Sequence, residues 1–346
     1  MDEAITVAID SSPCNALDID MVIVANMLGE STNGQANLGS LASSLFPHRP
    51  PSLRVEAACA SGSVAVHTAC SLLESKKAES ILVVGVEKMT DAGNDELAAA
   101  LMSAADSEKD VPSGLTFPGI FGLIAKRYMH EHGLTRDDLS RVSAAHHKNA
   151  CKNPFAQFKK EITPEQVSSS PEVSDPLRLL DCSPVSDGAA ACILSTKYES
   201  DLKIAASQVS NDTLSIADRP TITSFTATRE ATEKALEEAQ IERSDISAIE
   251  LHDCFSIAAI INLEDMGFAE TGTGVKLYKK NDPNVSINKS GGLKACGHPV
   301  AATGVKQILD VSKELEASQK RWGLAHNFGG AAAICGIHIL EHTVND

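Results

Sequence analysis

Aromatic residues are scarce in this chain. Phe, Tyr and Trp make up 4% of its 346 residues, with one Trp. A sizeable core must therefore come from Ala, Val, Ile and Leu, and the 43% hydrophobic content supplies it. Basic residues are also short, with 30 Lys and Arg against 46 Asp and Glu and a formal net charge of −16. Such a surface argues against nucleic acid or an anionic membrane as a partner of the whole molecule. No apolar run approaches the ~20 residues that cross a bilayer. The opening MDEAITVAID lacks the basic region of a secretory signal, and the closing HTVND is no peroxisomal or ER-retention address. Nine cysteines, an odd number without tight spacing, argue against a disulfide framework and for a cytoplasmic location. The length suits one large domain or two of ordinary size.

What is present is a repeat. Glu3-Ala4 matches Glu230-Ala231, and Asp18-Ile19 matches Asp245-Ile246, both at an offset of 227 residues. Each copy reads as a helix followed by an apolar strand, at 21–24 and 248–251. Then Ala58-Cys59-Ala60-Ser61-Gly62 opens one helix and Ala295-Cys296-Gly297-His298-Pro299 opens another. Strands follow at 80–87 and 322–328, and Asp187–Ala191 resembles Gly329–Ala333. Two such halves imply a duplicated α/β unit with helices packed on a mostly parallel sheet. The second half has an extra strand at 202–210 before its first helix. The equivalent strand of the first half would lie before Met1, so that half is expected to lack it or to have its sheet edge covered otherwise.

Residues 114–187 have no counterpart in the second half. Within them, 126–160 hold eight Lys or Arg against three Asp or Glu, a basic stretch in an acidic protein. It reads either as a solvated surface or as a seat for a phosphate-bearing ligand.

The segment 249–259, IELHDCFSIAA, puts His252, Asp253 and Cys254 between apolar runs. Unpartnered polar groups buried there cost about 1–3 kcal/mol each, so a strand end facing a site is the functional reading. Cys59 precedes a helix, where the dipole favours thiolate. His298 holds the matching place in the second half, and a pseudo-twofold axis would bring the two together as a Cys–His nucleophile pair. The turn Asn327-Phe328-Gly329-Gly330 offers backbone N–H groups to an oxyanion. A zinc site built from His252, Cys254, Cys296 and His298 is the rival, although each pair has only one intervening residue.

Taken together, CASG around Cys59, HDCF at 252–255, GHP at 297–299 and PLRLLDCSPVSDGAA at 176–190 resemble the thiolase superfamily. HDCF resembles the branch that contains the sterol-carrier-protein-type and archaeal acetyl-CoA thiolases. The resemblance runs from about residue 3 to 341. It implies a five-layer αβαβα fold of two βαβαβαββ halves, here 1–195 and 196–346, with the first N-terminal strand missing. A loop domain at about 88–180 would bind coenzyme A, with Lys126, Arg127, Lys148 and Lys152 on its phosphates. The same resemblance makes Cys59 the acylated nucleophile and His298 its base. His298 and a water held by His252 would form one oxyanion hole, and the N–H groups of Cys59 and Gly329 a second. Cys254 would be the second thiol, the base toward the α-carbon of acetyl-CoA. Most thiolases carry that second thiol where this chain has Asn327, and most have Gly where it has Ala301, whose methyl could tighten the pocket. No metal is implied, and coenzyme A enters as a substrate thioester.

The activity implied is acetyl-CoA C-acetyltransferase, by ping-pong Claisen condensation through acetyl-Cys59. Expected partners are further copies of the chain, as homodimer or homotetramer, and an HMG-CoA synthase with a small OB-fold protein in isoprenoid precursor synthesis. The alternatives are a degradative 3-ketoacyl-CoA thiolase, a decarboxylating condensing enzyme, and a non-catalytic thiolase-like subunit. The second needs no second thiol, so Cys254 argues against it.

Overall fold

A computed structural model describes residues 1–279 and 285–343. Among the described residues, eleven strands form two main sheets and a small hairpin. The first sheet contains β1 (Met21–Ala25), β2 (Ser52–Val55), β3 (Ser80–Glu87) and β6 (Gly188–Ser195), in the order β2-β1-β3-β6. The second contains β7 (Leu202–Asn211), β8 (Ile246–Glu250), β9 (Ser286–Ile287), β10 (Trp322–Gly329) and β11 (Ile334–His342), in the order β7-β11-β10-β8-β9. The hairpin of β4 (Glu172–Ser174) and β5 (Leu177–Arg178) lies in the insertion between β3 and β6.

The two sheets superpose in topology. In each, two parallel pairings are followed by one antiparallel pairing, β2-β1-β3-β6 against β9-β8-β10-β11. The second sheet then adds β7 antiparallel to β11. Nothing among the described residues pairs with the matching side of β6, and seven of its eight residues are half-buried. The first sheet is therefore one strand short, as the repeat implies.

One detail of the repeat shifts. Gly329 closes β10, and Gly330–Ala333 form the turn into β11, with Gly330 and Ala332 at positive φ. Gly188–Ala191 instead begin β6 itself. The likeness of these two runs is one of composition; the strand that matches β6 starts at Ile334, because a tight hairpin replaces the long insertion.

Layering follows from which face each residue shows. The helices Ser61–Glu74 and Thr303–Ser318 lie between the sheets, where Ala65, Val66, Ala69, Val305, Ile308 and Val311 meet Ile23, Ile81, Val83 and Ala325. The helices Asp2–Asp10 and Leu38–Ser43 cover the outer face of the first sheet through Ile5, Leu38 and Ala42. The helices Phe117–His132, Thr226–Ala239 and Ser256–Asp265 cover that of the second. The result is the five-layer αβαβα arrangement.

The two central helices touch backbone to backbone at their first turns. A Cβ on Gly62 would sit 2.6 Å from the Ala301 carbonyl oxygen, and one on Gly304 would sit 2.3 Å from Ser63 N. Ala301 is fully buried in this contact and packs in the inter-sheet core, so its extra methyl serves packing rather than the pocket expected for it. Replacing Gly62 or Gly304 by Ala pushes a methyl into rigid backbone. Each substitution is expected to lower stability by about 3 kcal/mol, the upper end of overpacking costs, read from the urea unfolding midpoint at unchanged slope.

Candidate active site

The loop that carries Cys59 leaves β2 and turns sharply before the Ser61–Glu74 helix. Ala58 takes φ +51°, a conformation that costs an L-residue roughly 1–2 kcal/mol. Local hydrogen bonds hold it there: Ala57 N–H donates to Ser61 Oγ at 2.8 Å, and Ser61 Oγ donates to the Ala58 carbonyl at 2.6 Å. The Glu56 carboxylate accepts from Ala58 N–H at 2.6 Å. Cys59 is thereby set at the helix entrance. Gly329 presses on this loop, since a Cβ there would lie 2.3 Å from the Ala57 carbonyl oxygen. The N–H that reaches the Cys59 sulfur belongs to its neighbour Gly330, where the sequence reading chose Gly329.

Beyond β8, successive side chains alternate sides, and this resolves the HDC cluster. The His252 ring is buried at 4.0 Å from Phe328 and 4.9 Å from His298, edge to face with the latter. Cys254 faces the same centre and feels Cys59. Asp253 turns the other way. It accepts Leu293 N–H at 2.7 Å, Lys294 N–H at 3.2 Å and the His146 ring at 2.7 Å. The loop 182–186 closes the wall, with Ser183 N–H on the Cys254 carbonyl and His298 N–H on the Pro184 carbonyl.

The tautomer of His298 is fixed by Thr303. The Thr303 hydroxyl donates to the Pro299 carbonyl at 3.2 Å and meets His298 Nδ1 at 2.8 Å. Its remaining role toward the ring is acceptor, so Nδ1 carries the proton and Nε2 is the free base.

Burial dominates the electrostatics. The Cys59 thiol is pushed up to about 12 by desolvation and then by the Glu87 charge, against the pull of the Gly330 and Cys59 N–H groups. Cys254 is raised well above its ordinary value by burial, Cys59 and Asp253. His298 falls to about 4, again by burial, partly offset by Asp253. Both thiols and both rings are thus neutral at rest. The thiolate expected from the helix start is not present, because lost hydration outweighs the dipole.

With the geometry in place, comparison with known proteins is direct. Residues 1–198 match the thiolase N-terminal domain, and 208–342 match the thiolase C-terminal domain-like family. The chain belongs to the thiolase family. An acetyl-CoA acetyltransferase of Methanothermobacter thermautotrophicus is 39% identical over 96% of this thiolase and 91% of that protein. One from Methanocaldococcus jannaschii is 40% identical over 98% and 92%. Human sterol carrier protein 2 is 31% identical over 91% of this chain and 62% of its own length. Among solved structures, an acetyl-CoA acetyltransferase from Syntrophomonas wolfei shares the fold, with a TM-score of 0.78 at 19% identity over 99% and 93% of the two chains. An Ltp2–ChsH2(DUF35) aldolase gives 0.83 at 21% identity over 100% and 92%.

The remaining residues singled out in this thiolase separate into groups. Lys126 pairs with Asp175 at 2.7 Å and Arg127 with Glu131 at 2.6 Å, both on the exposed side of their helix. Lys148 and Lys152 are exposed at the end of the Arg136–Ala150 helix and just past it. The loop that follows docks beside His298: Asn153 bonds the Ser290 carbonyl, Phe158 N–H the Ala295 carbonyl, and Gln157 accepts from Ser186. The zinc alternative fails on geometry, since the Cys296 thiol donates to the Ser290 carbonyl and accepts from Asn153. Among the described residues, no group of three or more His, Cys, Asp or Glu could hold a metal. Cys335 is buried in β11, as expected of a core residue.

Four contributors escaped the sequence reading. Cys182 is close enough to act on Cys254, and His326 Nδ1 accepts His252 N–H at 3.2 Å. His146 anchors Asp253. Glu87, at the end of β3, accepts from Asn26, Met27 N–H and Leu28 N–H, is raised to about 7 by burial, and acts on Cys59. A lone acidic residue closing an apolar strand, SILVVGVE, was the available signal for Glu87.

Removing that charge should ease ionisation of Cys59. Glu87→Gln is expected to move the pH midpoint of Cys59 alkylation by iodoacetamide downward, with wild type rising only on the alkaline side. An unmoved midpoint in a folded variant would show that burial alone sets the thiol.

Proposed function

We propose that this thiolase is an acetyl-CoA C-acetyltransferase, condensing two acetyl-CoA to acetoacetyl-CoA and coenzyme A and running the reverse thiolysis. The single observation that carries the reading is the convergence of two thiols, half-buried Cys59 and buried Cys254, with a histidine fixed as a base. The names of the two archaeal relatives near 40% identity support the substrate.

The steps follow from the resting charges. His298 Nε2 takes the Cys59 proton as sulfur attacks the acetyl carbonyl, so the neutral pair ionises only with substrate present. The Gly330 N–H at the sulfur, with that of Cys59, is placed to bind the oxyanion of the tetrahedral adduct. Coenzyme A leaves as thiolate and takes its proton from Cys254. The burial that raises Cys254 makes the resulting thiolate a strong base. It removes a proton from the α-carbon of the second acetyl-CoA, and the enolate oxygen lies between His252 and protonated His298. The enolate carbon attacks acetyl-Cys59, the adduct collapses, and Cys59 recovers its proton from His298. Positioned bases of this kind contribute about 10²–10⁴-fold each.

Coenzyme A is the substrate carrier, and no permanently bound cofactor enters the scheme. Its phosphates are assigned first to Lys148 and Lys152, because they flank the loop beside His298 and Lys126 and Arg127 already have acidic partners. The loop domain at 88–180 would carry this binding. Self-association as dimer or tetramer, a cytoplasmic location, a role in mevalonate precursor supply, and contact with an HMG-CoA synthase and an OB-fold protein complete the proposal. The structural neighbour that is an aldolase with a DUF35 component supports a further protein partner. No helix among the described residues is long and apolar enough to cross a membrane.

Intact mass after mixing with acetyl-CoA is the test. Wild type and Cys254→Ala are expected to gain one acetyl group and Cys59→Ala none, with only wild type releasing acetoacetyl-CoA. A folded wild-type protein that stays unacetylated would sink the enzyme reading. Separately, joint Lys148→Glu and Lys152→Glu substitution is expected to raise the KM for acetyl-CoA severalfold, with kcat kept. Unchanged KM would remove both from the coenzyme A site.

A further inference from the structure

Asn327 occupies the place where most of the family carry a second thiol, and the mechanism above gives it nothing to do. Its surroundings are specific. Asn327 Nδ2 lies 3.0 Å from His252 Nδ1, and both residues are buried. Its Oδ1 points at the first turn of the Thr303–Ser318 helix, where a Cβ on Gly304 would be 2.7 Å away. That Oδ1 accepts no hydrogen bond among the described residues, but the partial positive charge of a helix N-terminus suits an amide oxygen and disfavours the flipped amide. The NH₂ group must then face His252 and donate to it.

We propose that Asn327 is a positioning residue that holds His252 as its Nε2–H tautomer, so that the ring offers the pocket a proton donor and not a lone pair. The rest of the ring's environment leaves that choice to Asn327. His252 N–H and C=O are taken by His326 Nδ1 at 3.2 Å and Asn262 Nδ2 at 2.8 Å. Phe328 and His298 fix the ring plane. His252 Nε2 is buried with no hydrogen-bond partner among the described residues. It is the atom free to meet a substrate oxygen.

The proton count makes the tautomer decisive. Burial and the neighbours His298 and His326 keep His252 well below its ordinary value, so the ring has one N–H. If Nδ1 held it, Nε2 would present a lone pair toward an enolate or thioester oxygen and repel it. His298 is set in the opposite sense by Thr303, with its free lone pair at Nε2. One ring is prepared to take a proton and the other to give a hydrogen bond.

The functional half of this inference rests on the acetyltransferase reading; the tautomer itself does not. Histidine-selective ¹⁵N labelling of the full chain reads it directly, with His252→Gln to identify the signal. Wild type is expected to show His252 protonated at Nε2. In Asn327→Asp the carboxylate accepts instead, and the proton is expected to move to Nδ1. With it, acetoacetyl-CoA synthesis should fall by about 10²-fold or more, the scale of losing one oxyanion donor, while the KM for acetyl-CoA stays within severalfold. Wild type protonated at Nδ1, or an Asn327→Asp ring that keeps its Nε2 proton, overturns the proposal. A reversed tautomer at full turnover overturns its functional half. If Asn327→Asp does not fold, Asn327→Ala decides: a ring populating both tautomers supports the role, and one still wholly Nε2–H overturns it. Wild type with the expected tautomer but no acetylation of Cys59 would instead reject the acetyltransferase reading and leave the positioning role standing.

Discussion

The contact between the first turns of the two central helices governs the rest of the molecule. Gly62 and Gly304 bring backbone against backbone where any side chain would hold the helices apart. Because the halves are duplicated, that contact lies near the pseudo-twofold axis, and each half delivers one reactive group to it. The first contributes Cys59 from the loop before its helix. The second contributes His298 from the matching loop. The Cys59 thiol and the His298 imidazole thus come from different halves, so the inter-sheet core and the site are built by one packing event.

Closeness has an electrostatic consequence. A site buried this deeply strips water from every titratable group in it, and desolvation is the first cause of the shift at Cys59, Cys254, His252 and His298 alike. Helix N-termini contribute roughly 0.3–1 kcal/mol in ordinary settings, too little to hold a thiolate against that loss. The consequence is a resting site without formal charge on its four side chains. In the proposed reaction charge separates only when a thioester oxygen arrives to be stabilised, which would place the stabilisation in the transition state rather than in the free enzyme. A neutral site also gives hydrogen-bond direction unusual weight, which is why Thr303 and Asn327 matter: each sets where a single proton resides.

Much of this was legible in the chain because duplication leaves a trace at the level of residues. Matching dipeptides at one offset located both strands and both helix entrances, and three titratable residues at an apolar strand end marked a site. The open edge of β6 was legible in the same way, as an unmatched segment in the other half. Less legible was anything decided by a turn or by a partner distant in sequence. The likeness of 187–191 to 329–333 misled because a hairpin and a long insertion return the chain differently to the same strand. Gly330 rather than Gly329 meets the sulfur, and the sequence pattern does not distinguish the two neighbouring amides. Glu87, His146 and Cys182 reach the site across 28 to 123 residues of chain from Cys59, and no local pattern announces them. Asn327 was visible only as a departure from a family pattern, which says that something changed and not what replaced it.

Asp253 shows how the insertion is tied to the chemistry. It sits between His252 and Cys254, so any displacement of its backbone displaces both. Its carboxylate holds the first turn of Gly292–Cys296, the segment that leads directly into His298, and also the ring of His146 on the Arg136–Ala150 helix. Gly292 permits this, with a φ of +60° and no room for a Cβ, which would lie 2.4 Å from that carboxylate. One buried anion thus links the strand end, the base loop and a helix of the inserted domain. A carboxylate placed here must be satisfied by several donors at once or be expelled, since leaving a buried charge unpaired costs more than the pairing gains. Movement of the insertion that weakened the His146 contact would be resisted at His252, Cys254 and His298 together. The insertion and the segments that carry His252, Cys254 and His298 therefore share one hydrogen-bonded node.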